Sequence, residues 1–109
     1  MVYFFQQPVP NQKGWVPDLS PAAPYGEFEF IFDSSDRPSR NPEEARKQAE
    51  ERLKDFNPES DYVCWNNAGD IFSVFLVISI LTRLGYEKIR SLHWQKSTGN
   101  YTLSLVPLN

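Results

Sequence analysis

Two helical segments, each set between strand-like runs, constrain this chain more than any other feature. The first opens at Asn41-Pro42-Glu43-Glu44, with Asn as N-cap, Pro at the first helical position and Glu at the third, a capping box. It is expected to run to about Phe56 and to be ended by Pro58. Ala45, Ala49, Leu53 and Phe56 form its narrow apolar stripe, and Glu43/Lys47 and Glu50/Lys54 read as i,i+4 pairs. The second runs from Ile71 to Leu84 with Gly85 as C-terminal cap, and 10 of its 14 residues are large and apolar. Before, between and after them lie Glu27–Asp33, Tyr62-Val63-Cys64-Trp65 and Lys88–Gln95. Strand, helix, strand, helix, strand requires parallel pairing with right-handed crossovers.

In Glu27–Asp33, Phe28, Phe30 and Phe32 alternate with Glu27, Glu29, Ile31 and Asp33, the pattern of a strand with one greasy face. Tyr62–Trp65 reads as an inner strand buried on both faces. Val2–Gln6 reads as a first strand, expected to pair antiparallel on one side of the sheet. Ser97-Thr98-Gly99-Asn100 makes a hairpin turn into a last strand, Tyr101 to Leu108. The expectation is a small α/β domain with a mixed, largely parallel sheet, in the order β-loop-β-α-β-α-β-β. It has two helices and a C-terminal β-hairpin.

At 109 residues there is room for one domain. Five of the nine prolines fall between Pro8 and Gly26, so that stretch is expected to be neither helix nor inner strand. Trp15, Val16, Leu19 and Tyr25 let it pack down as an ordered Ω-like loop, a lid over one end of the core. With 40% hydrophobic residues the chain is not a disordered one. One cysteine excludes a disulfide framework and a cysteine-built zinc site. Cys64, mid-strand in an apolar run, is expected to be an inert core thiol. The single histidine, His93, has no acid near it in sequence, and no triad, G-x-S-x-G or H-E-x-x-H pattern can be written. There is no basic n-region, and the longest greasy stretch, Ile71 to Leu81, is shorter than the roughly 18–20 residues of a membrane span. The chain is therefore expected to be cytoplasmic, with no membrane association and no cofactor.

Ligands of open parallel sheets bind outside the carboxyl ends of the strands, where strand order reverses. If the two helical crossovers lie on opposite faces, the loops Ser34–Arg40 and Asn66–Asp70 flank one crevice. The ligand-binding candidates there are Asp36, Arg37, Arg40, Asn66, Asn67, Gly69 and Asp70. An anion would sit on the N-terminus of the second helix, with Asn67-Ala68-Gly69 offering N–H groups and Arg37 or Arg40 closing over it, although Asp70 would repel it. Asp33, Asp36 and Asp70 offer hard oxygen ligands to Mg²⁺, but their spacing matches no catalytic motif. The reading that needs no ligand makes Asp70 the cap of a very hydrophobic helix and uses Asn66 and Asn67 to satisfy a turn. That one is preferred, and no metal site is assigned.

The net charge of −3 argues against generic polyanion binding. It conceals an asymmetry: residues 1–60 carry 7 basic and 11 acidic groups, whereas Lys88, Arg90 and Lys96 are the only charges from residue 88 onward. Lys88, Arg90, Leu92, Trp94 and Lys96 share one strand face. That face could stack a nucleobase on Trp94, or its cations could simply protect a sheet edge. Exposed aromatic and Arg residues suit a protein interface equally. The partner-binding candidates are Trp15, Asp18, Tyr25, Arg90, Trp94, Lys96 and Tyr101. The nearly all-apolar second helix is a candidate surface for a homodimer.

Asp61-Tyr62-Val63-Cys64-Trp65-Asn66-Asn67-Ala68-Gly69-Asp70, the apolar helix, and Lys88-Ile89-Arg90-Ser91-Leu92-His93-Trp94-Gln95-Lys96 together resemble small proteins encoded by tailed bacteriophages and prophages. In those a strand ends in a Gly-Asp turn before a hydrophobic helix, and the chain closes with an R-x-L-x-W-x-[KR] strand and a hairpin. The resemblance spans about residues 59–108. It implies a phage origin, no defined enzymatic activity and no transferable site residues. The expected function is that of a small non-enzymatic binding protein acting on a host or viral macromolecule, most simply a protein. The alternatives are a nucleotide- or phosphate-binding domain and a single-stranded nucleic-acid binder.

Overall fold

The computed structural model describes residues 1–65 and 69–109. One five-stranded sheet organises the chain, built from β1 (Val2–Gln6), β2 (Phe28–Phe32), β3 (Tyr62–Trp65), β4 (Lys88–Gln95) and β5 (Asn100–Pro107). Their order across the sheet is β2-β1-β3-β4-β5. The first four are parallel and β5 returns antiparallel to β4, with Trp94 opposite Tyr101 and Leu92 opposite Leu103. The mixed, largely parallel α/β sheet expected from the sequence is the one observed.

The placement of β1 is a correction. It lies between β2 and β3, parallel to both, and all five of its residues are buried. The 21 residues from Gln7 to Glu27 are long enough to cross over the sheet, which a parallel neighbour requires.

The two helices, α1 (Pro42–Arg52) and α2 (Phe72–Arg83), cover the same face of the sheet. Ala45 and Ala49 from the first, Leu53 and Phe56 just beyond its end, and Leu76, Val77, Ile80 and Leu81 from the second close over Tyr3, Phe5, Ile31, Val63 and Ile89. The opposite face carries Val2, Phe4, Cys64, Leu92 and Tyr101 under Leu19, Ala22 and Tyr25 of the Pro-rich segment. Crossovers of one hand that run in opposite directions must lie on opposite faces. The β1-to-β2 connection runs one way and both helical connections run the other.

Several local expectations need adjusting. Asn41 does cap α1, its side chain accepting from the Glu44 N–H at 3.4 Å. The helix stops at Arg52 rather than near Phe56, because the chain tightens into turns that bring both Leu53 and Phe56 onto the core. Lys54 pairs with Glu51 at 2.7 Å and Glu50 with Arg46 at 3.6 Å, in place of the expected Glu50/Lys54 pair. In β2, Ile31 is fully buried beneath α1 while Phe28 and Phe30 pack on the other side, so both faces are greasy.

The Pro-rich segment contains a 3-10 helix, Ser20–Tyr25, with Pro21 in its first turn, where an N–H would have no partner anyway. It packs against the face of the sheet opposite the helices rather than over one end of the core. Leu19 and Tyr25 pack down as expected, but Trp15 and Val16 stay exposed. No helix among the described residues is long and apolar enough to cross a membrane.

Candidate functional site

The reversal of strand order falls between β1 and β3, and the crevice at their carboxyl ends is walled by residues that follow β1, β2 and β3. The two helical crossovers lie on one face rather than on opposite faces, yet residues of both expected loops, Ser34 and Arg37 from one and Gly69 and Asp70 from the other, reach this crevice. A cavity of about 370 Å³ opens there, lined by Gln6, Gln7, Val9, Ser34, Arg37, Gly69 and Asp70.

Gln6 holds this end of the sheet together. Buried at the end of β1, it donates through Nε2 to the carbonyl oxygens of Asp33 (3.0 Å) and Asp36 (2.7 Å). Its Oε1 accepts from the Asp70 N–H at 2.8 Å. Gly69, at φ +87°, lies directly against this side chain: a Cβ there would come within 2.7 Å of Gln6 Cβ and Cδ and closer still to Oε1. A glutamine at a strand end carries no sequence signal, and Gln6 is not among the residues the sequence singles out.

The expected ligand groups are occupied with one another. Asp70 Oδ2 accepts from the N–H (3.0 Å) and the hydroxyl of Ser39, and Oδ1 accepts from the Phe72 N–H at 3.0 Å. The Ser39 hydroxyl bond, the Phe72 and Ser39 amides and the Arg37 charge hold the Asp70 carboxyl below its usual range, against a smaller opposing effect of burial. Asp36 Oδ2 accepts from the Asp33 N–H (2.7 Å) and from Gln48 Nε2 (3.0 Å). Arg37 turns back on the carbonyls of Ser34 (3.1 Å) and Asp36 (2.8 Å). Arg40 ends a 3-10 turn, Pro38–Arg40, exposed to solvent. Among the described residues no three His, Cys, Asp or Glu groups gather as a metal site, so Asp33, Asp36 and Asp70 do not form one. Asn66 and Asn67 lie outside the described residues. With Asp70 itself bonded to the first amides of α2, the capping role accounts for this end of the helix.

A second cavity, of about 420 Å³, lies on the opposite face between the Pro-rich segment and the β4–β5 hairpin. Trp15, Pro17, Asp18, Pro21, Trp94, Gly99 and Tyr101 line it. Trp94 and Tyr101 face each other across the hairpin, with ring centroids 5.2 Å apart and planes at 64°, an edge-to-face pair. Trp15 is 63% exposed and Trp94 38%, so two indoles present their surface to solvent. Among the described residues, the only charged group in the lining is the Asp18 carboxylate, which accepts from the Ser20 N–H at 2.9 Å and is held below its usual range by that bond.

Four partner candidates thus come together: Trp15, Asp18, Trp94 and Tyr101. Three do not. Tyr25 packs edge-on against Tyr62 at 5.3 Å. The Arg90 guanidinium sits over the Tyr62 ring, its Cζ 4.2 Å from the centroid, and donates to the Tyr62 hydroxyl. Lys96 is exposed in the hairpin turn, outside the lining of the pocket. The proline and glycine that complete the pocket, Pro21 and Gly99, signal only chain breaks in the sequence. β4 is flanked by β3 and β5, so its cations do not guard a sheet edge. Cys64 is fully buried and burial pushes its thiol up to about 12, while His93 stands exposed opposite Thr102. Neither has the setting of a nucleophile or its base.

Residues 1–108 match the family model described as Phage Pam3 gp32-like protein. The match covers the N-terminal half as well as the stretch after residue 59 that carries the resemblance to phage proteins. No curated protein and no solved structure is a match.

Proposed function

We propose that this chain, which belongs to the phage Pam3 gp32-like protein family, is a non-enzymatic accessory factor that binds a host or viral protein in the host cytoplasm. The observation that carries this reading is the aromatic pocket between the Pro-rich segment and the hairpin. Indole and phenol rings supply large contact area at low entropic cost, and such anchors dominate protein interfaces. With Asp18 as the only charge in the described lining, the pocket suits a cationic side chain, an Arg or Lys of the partner, seated on an indole face beside the carboxylate.

Single-stranded nucleic acid is the weaker reading. Its phosphates would approach Asp18, and Arg90 is engaged with Tyr62. A nucleotide in the Gln6–Asp70 crevice would have to displace hydrogen bonds that already satisfy the groups meant to hold it.

The test is capture of partners from phage-infected host lysate, comparing the wild type with Trp15→Ala/Trp94→Ala and Asp18→Lys. One protein retained by the wild type and weakened about tenfold or more by each variant, at an unchanged melting temperature, supports the reading. Equal capture by all three, or no specific capture by the wild type, refutes it.

A further inference from the structure

We propose that β5 is a self-recognition edge, through which two copies of the chain join antiparallel into one ten-stranded sheet. The edge follows from the topology: among the described residues β5 is the last strand in the sheet order and pairs only with β4. The Leu108 N–H donates to the Glu87 carbonyl at 2.8 Å, which marks 87 and 108 as a hydrogen-bonded pair. The antiparallel register then alternates. Asn100, Thr102, Ser104 and Val106 direct their backbone groups at β4. Tyr101, Leu103, Leu105 and Pro107 direct theirs outward. Pro107 fits this parity, since an outward position is where a strand tolerates a residue without an N–H. The side chains of the same outward residues lie on the face of Cys64 and Leu92, where Leu103 is 47% and Leu105 56% exposed.

Apart from Pro107 at its far end, the outer edge of this sheet lacks the devices that keep edges apart. No residue from Ser97 to Asn109 is charged, and β5 pairs with β4 through eight consecutive residues without a bulge. The absence of charge is the argument for a second copy as the occupant. A strand that meets itself sets each residue against one from the same strand, and here no like charges are opposed.

A two-fold axis at Leu103 sets Leu103 against the partner's Leu103 and Tyr101 against the partner's Leu105. The Tyr101, Leu103 and Leu105 N–H groups of each copy then all find carbonyl acceptors. Sliding the axis to Ser104 brings Pro107 opposite the partner's Tyr101 and leaves that pair with one bond. The outer face of α2 is also apolar, with Phe75 66% exposed, but nothing in the structure says what covers it. The two-fold would put two copies of the aromatic pocket on one face of the joined sheet, offset by about 14 Å along the strands. The pairing itself does not depend on what the pocket binds.

Sedimentation of the wild type is compared with Leu103→Lys/Leu105→Lys, Leu103→Pro and Phe75→Lys. Leu103→Pro removes an outward N–H and leaves every bond to β4 intact. A dimer at micromolar concentration, kept by Phe75→Lys and weakened at least tenfold by both edge variants, is the expected result. Amide exchange supplies a second readout. The Tyr101, Leu103 and Leu105 amides should gain protection as concentration rises, whereas those of Thr102 and Ser104 should be protected throughout. A wild type that stays monomeric at several hundred micromolar overturns the proposal. So does a dimer that survives the edge variants or is lost only with Phe75→Lys.

Discussion

Replacing Gly69 with alanine tests the construction of the Gln6 crevice most directly. Two separable costs are expected. The backbone sits at φ +87°, where a Cβ is disfavoured by about 1 kcal/mol. The new methyl would also overlap Gln6, which is buried and has backbone on its far side, so the carboxamide must leave its place. Its bonds to Asp33, Asp36 and Asp70 go with it, and abandoning buried polar partners costs about 1–3 kcal/mol. The total is about 2–4 kcal/mol, a large part of the roughly 5–15 kcal/mol that stabilises a domain.

Gly85 is the internal control. It has the same φ of +87°, but a methyl there would meet nothing within 4 Å, so Gly85→Ala should cost only the backbone part, about 1 kcal/mol. Urea unfolding of the four proteins in a Gln6→Ala, Gly69→Ala cycle measures the coupling. Once Gln6 is truncated, Gly69→Ala should fall to about the cost of Gly85→Ala. If Gly69→Ala and Gly85→Ala agree within about 0.5 kcal/mol in the wild-type background, the close approach of Gly69 to Gln6 is refuted.

Other expectations follow from the same contacts. The folded-state pKa of Asp70 is lowered, so its contribution to stability is present above the ordinary carboxyl range and lost as pH falls through the folded value. Wild-type stability should therefore drop relative to Asp70→Asn as the pH is taken from about 5 to about 2, and parallel curves would count against the network. The Cys64 thiol, pushed up to about 12, should resist alkylation at pH 8 in the folded protein and react on unfolding; labelling of the native chain at the unfolded rate would contradict its burial. Leu53→Ala, at a buried site beyond the end of α1, should cost about 2–5 kcal/mol in thermal or urea unfolding, while Trp15→Ala should cost under about 0.5 kcal/mol. Equal effects would mean that Trp15 packs into the core.

Much of the fold was legible residue by residue. The Asn41-Pro42 start of α1, the Gly85 stop of α2 and the alternation in β2 are local signals, and each element lies within a few residues of its expected place. The capping reading of Asp70 was also available, because an acid just ahead of a greasy helix has a short-range reason to be there. The position of β1 was not legible. A run such as Val2-Tyr3-Phe4-Phe5 suits a parallel inner strand and an antiparallel edge equally well, since backbone ladders do not read side chains. Nor was Gln6, whose role exists only because three loops converge on the end of β1.

The sequence by itself determined the kinds of element, their order and the largely parallel sheet, because periodicity, caps and crossover lengths act over a few residues or through connectivity. Only the tertiary structure decided which face each connection covers. That depends on the direction in which successive strands are added, a property of the whole sheet. The pocket follows from it: Trp15 and Asp18 meet Trp94 and Tyr101, about 80 residues away in sequence, because the Pro-rich crossover lies across the face that both helices leave open.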